Sequence, residues 1–215
     1  MPVYIAIEGP KGVGKSTLVE RLRAYGVSVA LLCPTRPIPL PHPLEELAAN
    51  SDDDALREQL YAARSNHHAA HVERQVDLIL GDRSILTSYA TRWERAPAGE
   101  KRQWIERVNI LEHLIGLPDH VIQLQVPQAQ LLARLQARCE RSYGRHDETP
   151  ERIRAMQAAY RELRERGNEL GLGRIVWRDV DASATAERVL ARVVVRILEI
   201  LARARLLRPA QRRVG

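Results

Sequence analysis

The sequence predicts an α/β fold, a parallel five-stranded sheet with helices on both faces. Two observations carry that expectation. Short apolar runs alternate with longer amphipathic stretches along the chain, the pattern of buried parallel strands joined by right-handed helical crossovers. The polar, chemistry-bearing segments fall just past the ends of the apolar runs, where ligands bind to parallel sheets. No internal repeat or linker interrupts the pattern, so residues 1–202 read as one domain, followed by a basic tail over residues 203–215 that carries several arginines and no acid.

Val3–Glu8 is apolar with little alternation and reads as a buried strand. A glycine-rich turn over residues 9–16 leads into a helix over residues 17–25, with Leu18 and Leu22 on one face and Gly26 as its stop. A second strand spans residues 27–33. Five prolines within residues 34–43 exclude both helix and central strand, leaving a shaped loop. Residues 44–50 and 54–75 read as helices, with Ser51 as a cap. A third strand over residues 76–80 ends in Gly81-Asp82-Arg83. Helices then follow over residues 85–92 and 98–115, the latter bounded by Gly116 and Pro118. A fourth strand covers residues 120–126 and a helix residues 128–138. Beyond a polar stretch to Thr149 come a helix over 150–167, a fifth strand over 174–180 and a last helix over 184–201.

Composition narrows the function. Of 215 residues, 45% are hydrophobic and 28% charged, an ordinary globular balance. No apolar run approaches the roughly 18 residues of a membrane helix. The start, Met1-Pro2-Val3-Tyr4-Ile5, has no basic leader segment, so a cytoplasmic protein with no membrane partner is expected. Cys33 and Cys139 are too few for a disulfide framework and lack zinc spacing, so they read as reduced thiols. The formal charge of +6 raises the question of nucleic acid. Most arginines, however, lie along helices with Glu three or four residues away, the pattern of a solvated surface. A homodimer is left open.

Gly9-Pro10-Lys11-Gly12-Val13-Gly14-Lys15-Ser16 matches G-x-x-x-x-G-K-[ST] at every fixed position, between a strand and a helix. The match specifies a P-loop NTPase fold that binds ATP with Mg²⁺. Glycines let successive N–H groups turn inward as an anion nest, and the helix N-terminus adds partial positive charge. Lys15 reaches the β- and γ-phosphates, Ser16 binds Mg²⁺, and Thr17 contacts the α-phosphate. Asp82, at a strand end in such a fold, is the natural second group for Mg²⁺, and the Arg83 fork suits a phosphate. Arg138, Arg141 and Arg145 recur at steps of three and four in a polar, glycine-containing segment. That spacing suits a lid at about residues 138–149 that brings Arg138 to ATP and the catalytic Arg141 and Arg145 to the transferring phosphoryl group. A solvated helix face paired with Glu140 and Glu148 is the alternative.

Over roughly residues 3–165, a run of motifs resembles the thymidylate kinases. Ile5-Ala6-Ile7-Glu8-Gly9 and Gly12-Val13-Gly14-Lys15-Ser16-Thr17 look like that family's first strand and phosphate loop. Thr35-Arg36-Pro37 resembles its Thr-Arg-Glu-Pro element, and Leu60-Tyr61-Ala62-Ala63-Arg64 its Leu-Phe-Ala-Ala-Asp-Arg stretch. Asp82-Arg83-Ser84-Ile85-Leu86-Thr87-Ser88-Tyr89-Ala90 is similar to its Asp-Arg-Tyr-x-x-Ser-Ser-x-Ala. The resemblance implies ATP-dependent phosphorylation of a nucleoside monophosphate, dTMP to dTDP. It assigns Arg36 and Arg83 to the acceptor's phosphate, Tyr61 to stacking on its base and Arg64 to the base edge. Lys11 stands where the bacterial loop has an acid, Ser84 where the family has Tyr, and Pro37 where it has Glu; the loop also resembles that of viral thymidine kinases. A deoxynucleoside kinase is the alternative. It needs a general base to deprotonate a sugar hydroxyl, and Pro34-Thr35-Arg36-Pro37 offers no carboxylate before Glu45. A P-loop nucleotide-binding protein of other function is the third reading, although no Asn-Lys-x-Asp guanine motif is present. His67, His68 and His71 cluster without a third ligand at metal spacing, and Trp93, Trp104 and Trp177 read as packing.

Overall fold

The computed structural model describes residues 2–23, 28–38, 51, 53–137 and 149–207, with side chains to residue 204. In chain order the elements are β1 (Val3–Glu8), α1 (Lys15–Leu22), β2 (Val29–Leu32), α2 (Asp54–His71), β3 (Leu78–Asp82) and α3 (Ile85–Thr91). They continue with α4 (Lys101–Leu111), β4 (His120–Gln125), α5 (Gln128–Gln136), α6 (Pro150–Glu165), β5 (Val176–Asp181) and α7 (Ala186–Leu207). The expected helix over residues 44–50, Gly26, Cys139 and the three lid arginines lie outside the described residues.

All five strands are parallel, in the order β2-β3-β1-β4-β5, as the strand–helix alternation predicts. Connections run first to one side of β1 and then to the other, so the crevice opens at the carboxyl ends of β1 and β3. Side-chain alternation divides the core into two layers. Ile5, Ile7, Leu78 and Leu80 face α1 and α7, meeting Leu18, Leu22, Val193 and Ile197. Ala6, Ile79 and Val121 face the opposite layer of α3, α4 and α6, with Tyr89, Ile105 and Tyr160. Both faces of β1 are thus covered, which is why its sequence shows little alternation.

Several boundaries shift for local reasons. The helix after the phosphate loop begins two residues earlier than periodicity suggests, because Gly14 rather than a polar side chain starts it. Asp53, not Ser51, caps α2: its carboxylate accepts from the N–H groups of Ala55 and Leu56 at 2.8 and 3.2 Å, while Ser51 Oγ accepts from Asp53 N. That helix ends at His71, short of Gln75. Ala98–Glu100 forms a 3-10 turn that precedes α4. Thr149 caps α6, accepting from Arg152 N, with Pro150 at the first helical position.

The surface arginines pair as their spacing suggests, among them Arg102 with Glu106, Arg154 with Glu151 and Arg196 with Glu199. Such exposed pairs add little stability. Among the described residues no helix is long and apolar enough to cross a membrane. The tryptophans pack: Trp93 is buried with its Nε1 donating to Glu162, and Trp104 Nε1 donates to the Tyr89 carbonyl. Cys33 is a buried free thiol, raised from its ordinary pKa by burial first and by Asp82 second.

Candidate active site

The loop between β1 and α1 is backbone chemistry. Gly9, Gly12 and Gly14 all hold positive φ, at 139°, 88° and 100°. A Cβ at Gly9 would lie 2.9 Å from the Leu124 carbonyl oxygen, so the close approach of β4 also demands glycine there. Pro10 and Val13 are buried and anchor the loop, with Val13 in the core beside Leu18. No side chain caps α1, and the first N–H groups of such a helix can receive an anion. The buried ammonium of Lys15 donates to the carbonyls of Gly9 and Pro10 at 2.8 and 2.9 Å. Ser16 and Thr17 are exposed on the first turn, and with Lys11, Gly12, Gly14 and Lys15 they line a cavity of about 300 Å³.

Sheet register brings the second motif to the same place. Ile7 of β1 pairs with Asp82 of β3, so Asp82 stands beside the entry to the loop. The next residue, Arg83, has φ 78°, the one positive value among the described non-glycine residues. That conformation costs an L-residue about 1–2 kcal/mol. The Arg83 N–H bonding to the Ile7 carbonyl at 3.2 Å helps to hold it. Gly81 makes room for the turn, since a Cβ there would sit 2.6 Å from the Arg83 carbonyl oxygen. The strained turn places Arg83 in the cavity wall, where its Nη1 lies 3.5 Å from Thr87 Oγ1.

Beneath these residues lies a group the sequence reading did not select. Glu8, the last residue of β1, is fully buried. Its Oε1 accepts from Ser84 Oγ at 2.6 Å, and its Oε2 accepts from Thr87 Oγ1 at 2.8 Å and Tyr160 OH at 2.7 Å. Ser84 at the same time caps α3 by accepting from Leu86 N. Burial, and then the Glu8 carboxylate, push Tyr160 well above the ordinary tyrosine pKa. One signal was available: an ionisable residue closing an otherwise apolar strand needs partners.

The wall facing the phosphate loop comes from α2, α3 and the loop after β2. Tyr61 and Arg64 line the cavity; Arg64 is buried, with its guanidinium 5.4 Å from the Tyr61 ring centroid. Thr87, Ser88, Thr91 and Arg92 contribute from α3 and its C-cap, and Met156 from α6. Asp82 is the only carboxylate among the described lining residues. Arg36 is exposed, standing between Thr35 and Pro37, which do line the cavity; its carbonyl accepts from His68 Nε2 at 2.9 Å. His71 Nδ1 bonds the His67 carbonyl at 2.7 Å, and no cluster of three metal-binding side chains occurs among the described residues.

The family model described as thymidylate kinase matches residues 7–173, most of the chain and all of this cavity's described wall. The chain belongs to the thymidylate kinase family. It is 30% identical over 205 residues to a thymidylate kinase of Mycobacterium tuberculosis, covering 86% of this chain and 95% of that one. Against a thymidylate kinase of Pseudomonas putida it is 29% identical over 151 residues, 63% of this chain and 70% of the relative. Solved structures share the fold at lower identity. A thymidylate kinase from Candida albicans superposes with a TM-score of 0.64 at 18% identity, covering 92% of each chain. A deoxyadenosine kinase from M. mycoides with bound dATP gives 0.62 at 16% identity, over 91% of this chain and 100% of that one.

As a member of the thymidylate kinase family the chain is a phosphotransferase with ATP as its phosphoryl donor. The family also implies Mg²⁺, and the donor set fits it. Ser16 and Asp82, a hydroxyl and a carboxylate, line one cavity beside the phosphate loop. Magnesium takes few protein oxygens and completes its shell with nucleotide phosphates and water. The departures from the family pattern have structural roles: Lys11 and Pro37 line the cavity, and Ser84 bonds Glu8 and caps α3.

Proposed function

We propose that this thymidylate kinase family member transfers the γ-phosphoryl group of Mg·ATP to thymidine 5′-monophosphate, giving the diphosphate. The single observation behind this reading is the juxtaposition of the phosphate loop and the Asp82-Arg83 turn on one cavity. The opposite wall of that cavity carries Tyr61 and Arg64. Lys15 and the loop N–H groups bind and orient the donor's phosphates. Ser16 and Asp82 would hold magnesium, which would supply neutralising charge to the donor's phosphates. Arg83 holds the acceptor's phosphate in line, with Arg36 approaching from the rim. Tyr61 and Arg64 take the base. The spacing of Arg138, Arg141 and Arg145 and the family resemblance support residues 138–149 as the lid that serves the donor.

A monophosphate acceptor is largely ionised at neutral pH, the second phosphate pKa being about 6. It therefore needs cations rather than a base, and the cavity supplies cations. The test compares kcat/KM for thymidine monophosphate and thymidine within a panel of nucleosides and nucleoside monophosphates. Thymidine monophosphate is expected to lead. A clear preference for thymidine would replace this reading with a deoxynucleoside kinase.

A further inference from the structure

Arg92 stands where two cavities meet. It lines the 300 Å³ cavity and also a second one of about 500 Å³, whose walls include Asp54, Glu58, Arg95 and Trp104. As the C-cap of α3 it follows the family-like Asp-Arg motif by about two helical turns, on the wall opposite the phosphate loop. Its surroundings explain what it lacks. Three carboxylates act on it: Asp54 pairs with Arg57 and Arg95, Glu58 Oε2 pairs with Arg107 at 3.0 Å, and Glu112 is bonded by Ser65 and Ser88, while Glu58 Oε1 and Glu112 Oε2 have no hydrogen-bond partner among the described residues. Among the described residues the Arg92 guanidinium makes one hydrogen bond, a long one of 3.4 Å to the Asp54 carbonyl. Desolvation by burial lowers its pKa, opposed by the charges of Glu58 and Asp54. A half-buried guanidinium has five N–H donors, and leaving most of them unmet is costly.

We propose that Arg92 is a specificity-determining residue of the acceptor site, donating to an oxygen of the acceptor's nucleoside part, away from the phosphate held by Arg83. The proposal rests on the nucleoside monophosphate reading above. Thymine and deoxyribose both present such oxygens, and the planar fork suits them. The charges of Asp54, Glu58 and Glu112 act on the cation, yet among the described residues no hydrogen bond from its guanidinium reaches any of the three carboxylates, so its donors are left for a ligand.

The test measures steady-state kinetics of wild type, Arg92→Lys and Arg92→Ala, with thermal unfolding of each. A charge-assisted hydrogen bond predicts that Arg92→Ala raises the acceptor KM roughly ten- to a hundredfold. KM for ATP and kcat are expected to stay within about twofold, and Arg92→Lys to fall between. Thymidine, which lacks the phosphate, serves as a competitive inhibitor, and its Ki is expected to rise by the same factor as the acceptor KM. An unchanged acceptor KM overturns the proposal. So does a KM rise with an unchanged thymidine Ki, which assigns Arg92 to the phosphate. So does a parallel loss of kcat, ATP affinity and melting temperature, which assigns it to packing between α2 and α3. Failure of the underlying reading shows separately, in the wild type. If thymidine monophosphate is not turned over, that reading falls, and the same KM criterion applies with the monophosphate that is.

Discussion

The two sides of the cavity are built by different means. The donor side is one contiguous loop whose chemistry lies in backbone N–H groups, positive-φ glycines and a single lysine. The proposed acceptor side is assembled from α2, α3, α6 and two loops, and its chemistry lies in side chains. Backbone chemistry leaves a compact signature along the sequence. Side-chain chemistry gathered from five segments leaves scattered single residues, each ordinary by itself.

The largest expected effect breaks the donor side alone. Lys15→Ala removes the ammonium from the loop, and phosphoryl transfer is expected to fall by about a thousandfold or more. Circular dichroism is expected to stay native, since Lys15 bonds the loop's own carbonyls rather than the core. A folded variant with near wild-type turnover would remove the loop from the mechanism. Asp82→Asn, at the seam between the two sides, is expected to lower kcat on the order of a hundredfold at ordinary Mg²⁺ concentration. The deficit should shrink as Mg²⁺ is raised, and a kcat that ignores both changes would make Asp82 only a strand end.

A smaller effect sharpens the distinction on the acceptor side. Losing the charged fork in Arg36→Ala is expected to raise the acceptor KM by about ten- to a hundredfold and leave the ATP KM nearly unchanged. Because Arg36 is exposed at the rim, a result at the lower end of that range is expected. Equal damage to both substrates would contradict a division of labour between loop and wall.

The smallest effect concerns a charge behind the acceptor wall. Glu112 is buried, its hydrogen bonds come from Ser65 and Ser88, and one carboxylate oxygen has no partner. Burial raises its pKa from the ordinary value. A carboxyl that holds its proton more tightly when folded favours folding below its unfolded pKa. That contribution is lost as pH rises through the folded pKa, and at pH 8 the buried charge is a cost. Glu112→Gln is therefore expected to stabilise the protein at pH 8 by about 1 kcal/mol, some 2–4 °C in melting temperature. The gain should vanish as pH falls toward the unfolded carboxylate value. A difference that grows on acidification would show that Glu112 is stabilising as the anion.

The same division accounts for what the sequence revealed. The parallel sheet was legible because strands buried on both faces are apolar throughout, and the phosphate loop because two glycines, a lysine and a hydroxyl fall at required spacings. Tyr61 and Arg64 were reached through family resemblance and Arg83 through its place after the strand-ending Asp82, and all three line the cavity. Glu8 escaped because its partners Ser84, Thr87 and Tyr160 lie at least 76 residues away along the chain. Arg92 escaped for a related reason. Only the ion pairs that occupy Asp54 and Glu58 distinguish it from its neighbour Arg95. The strain at Arg83 has no sequence signal, since an arginine at positive φ is held there by the ladder and by Gly81.

The knot around Glu8 bears on how such an enzyme acquires new substrates. One carboxylate joins the residue before the phosphate loop to the start of α3 and to α6. The knot meets the cavity wall at Thr87, whereas Tyr61, Thr91 and Arg92 line the cavity without bonding Glu8. On the proposed reading, exchanging the cavity-facing positions of α2 and the end of α3 is expected to retarget the enzyme, because the hydrogen bonds of Glu8 do not run through them. A hydroxyl lost from the knot, as in Tyr160→Phe, would be felt by every substrate alike. Variation among descendants of such a chain should accordingly spare Glu8, Ser84, Thr87 and Tyr160 together and accumulate at Tyr61, Thr91 and Arg92.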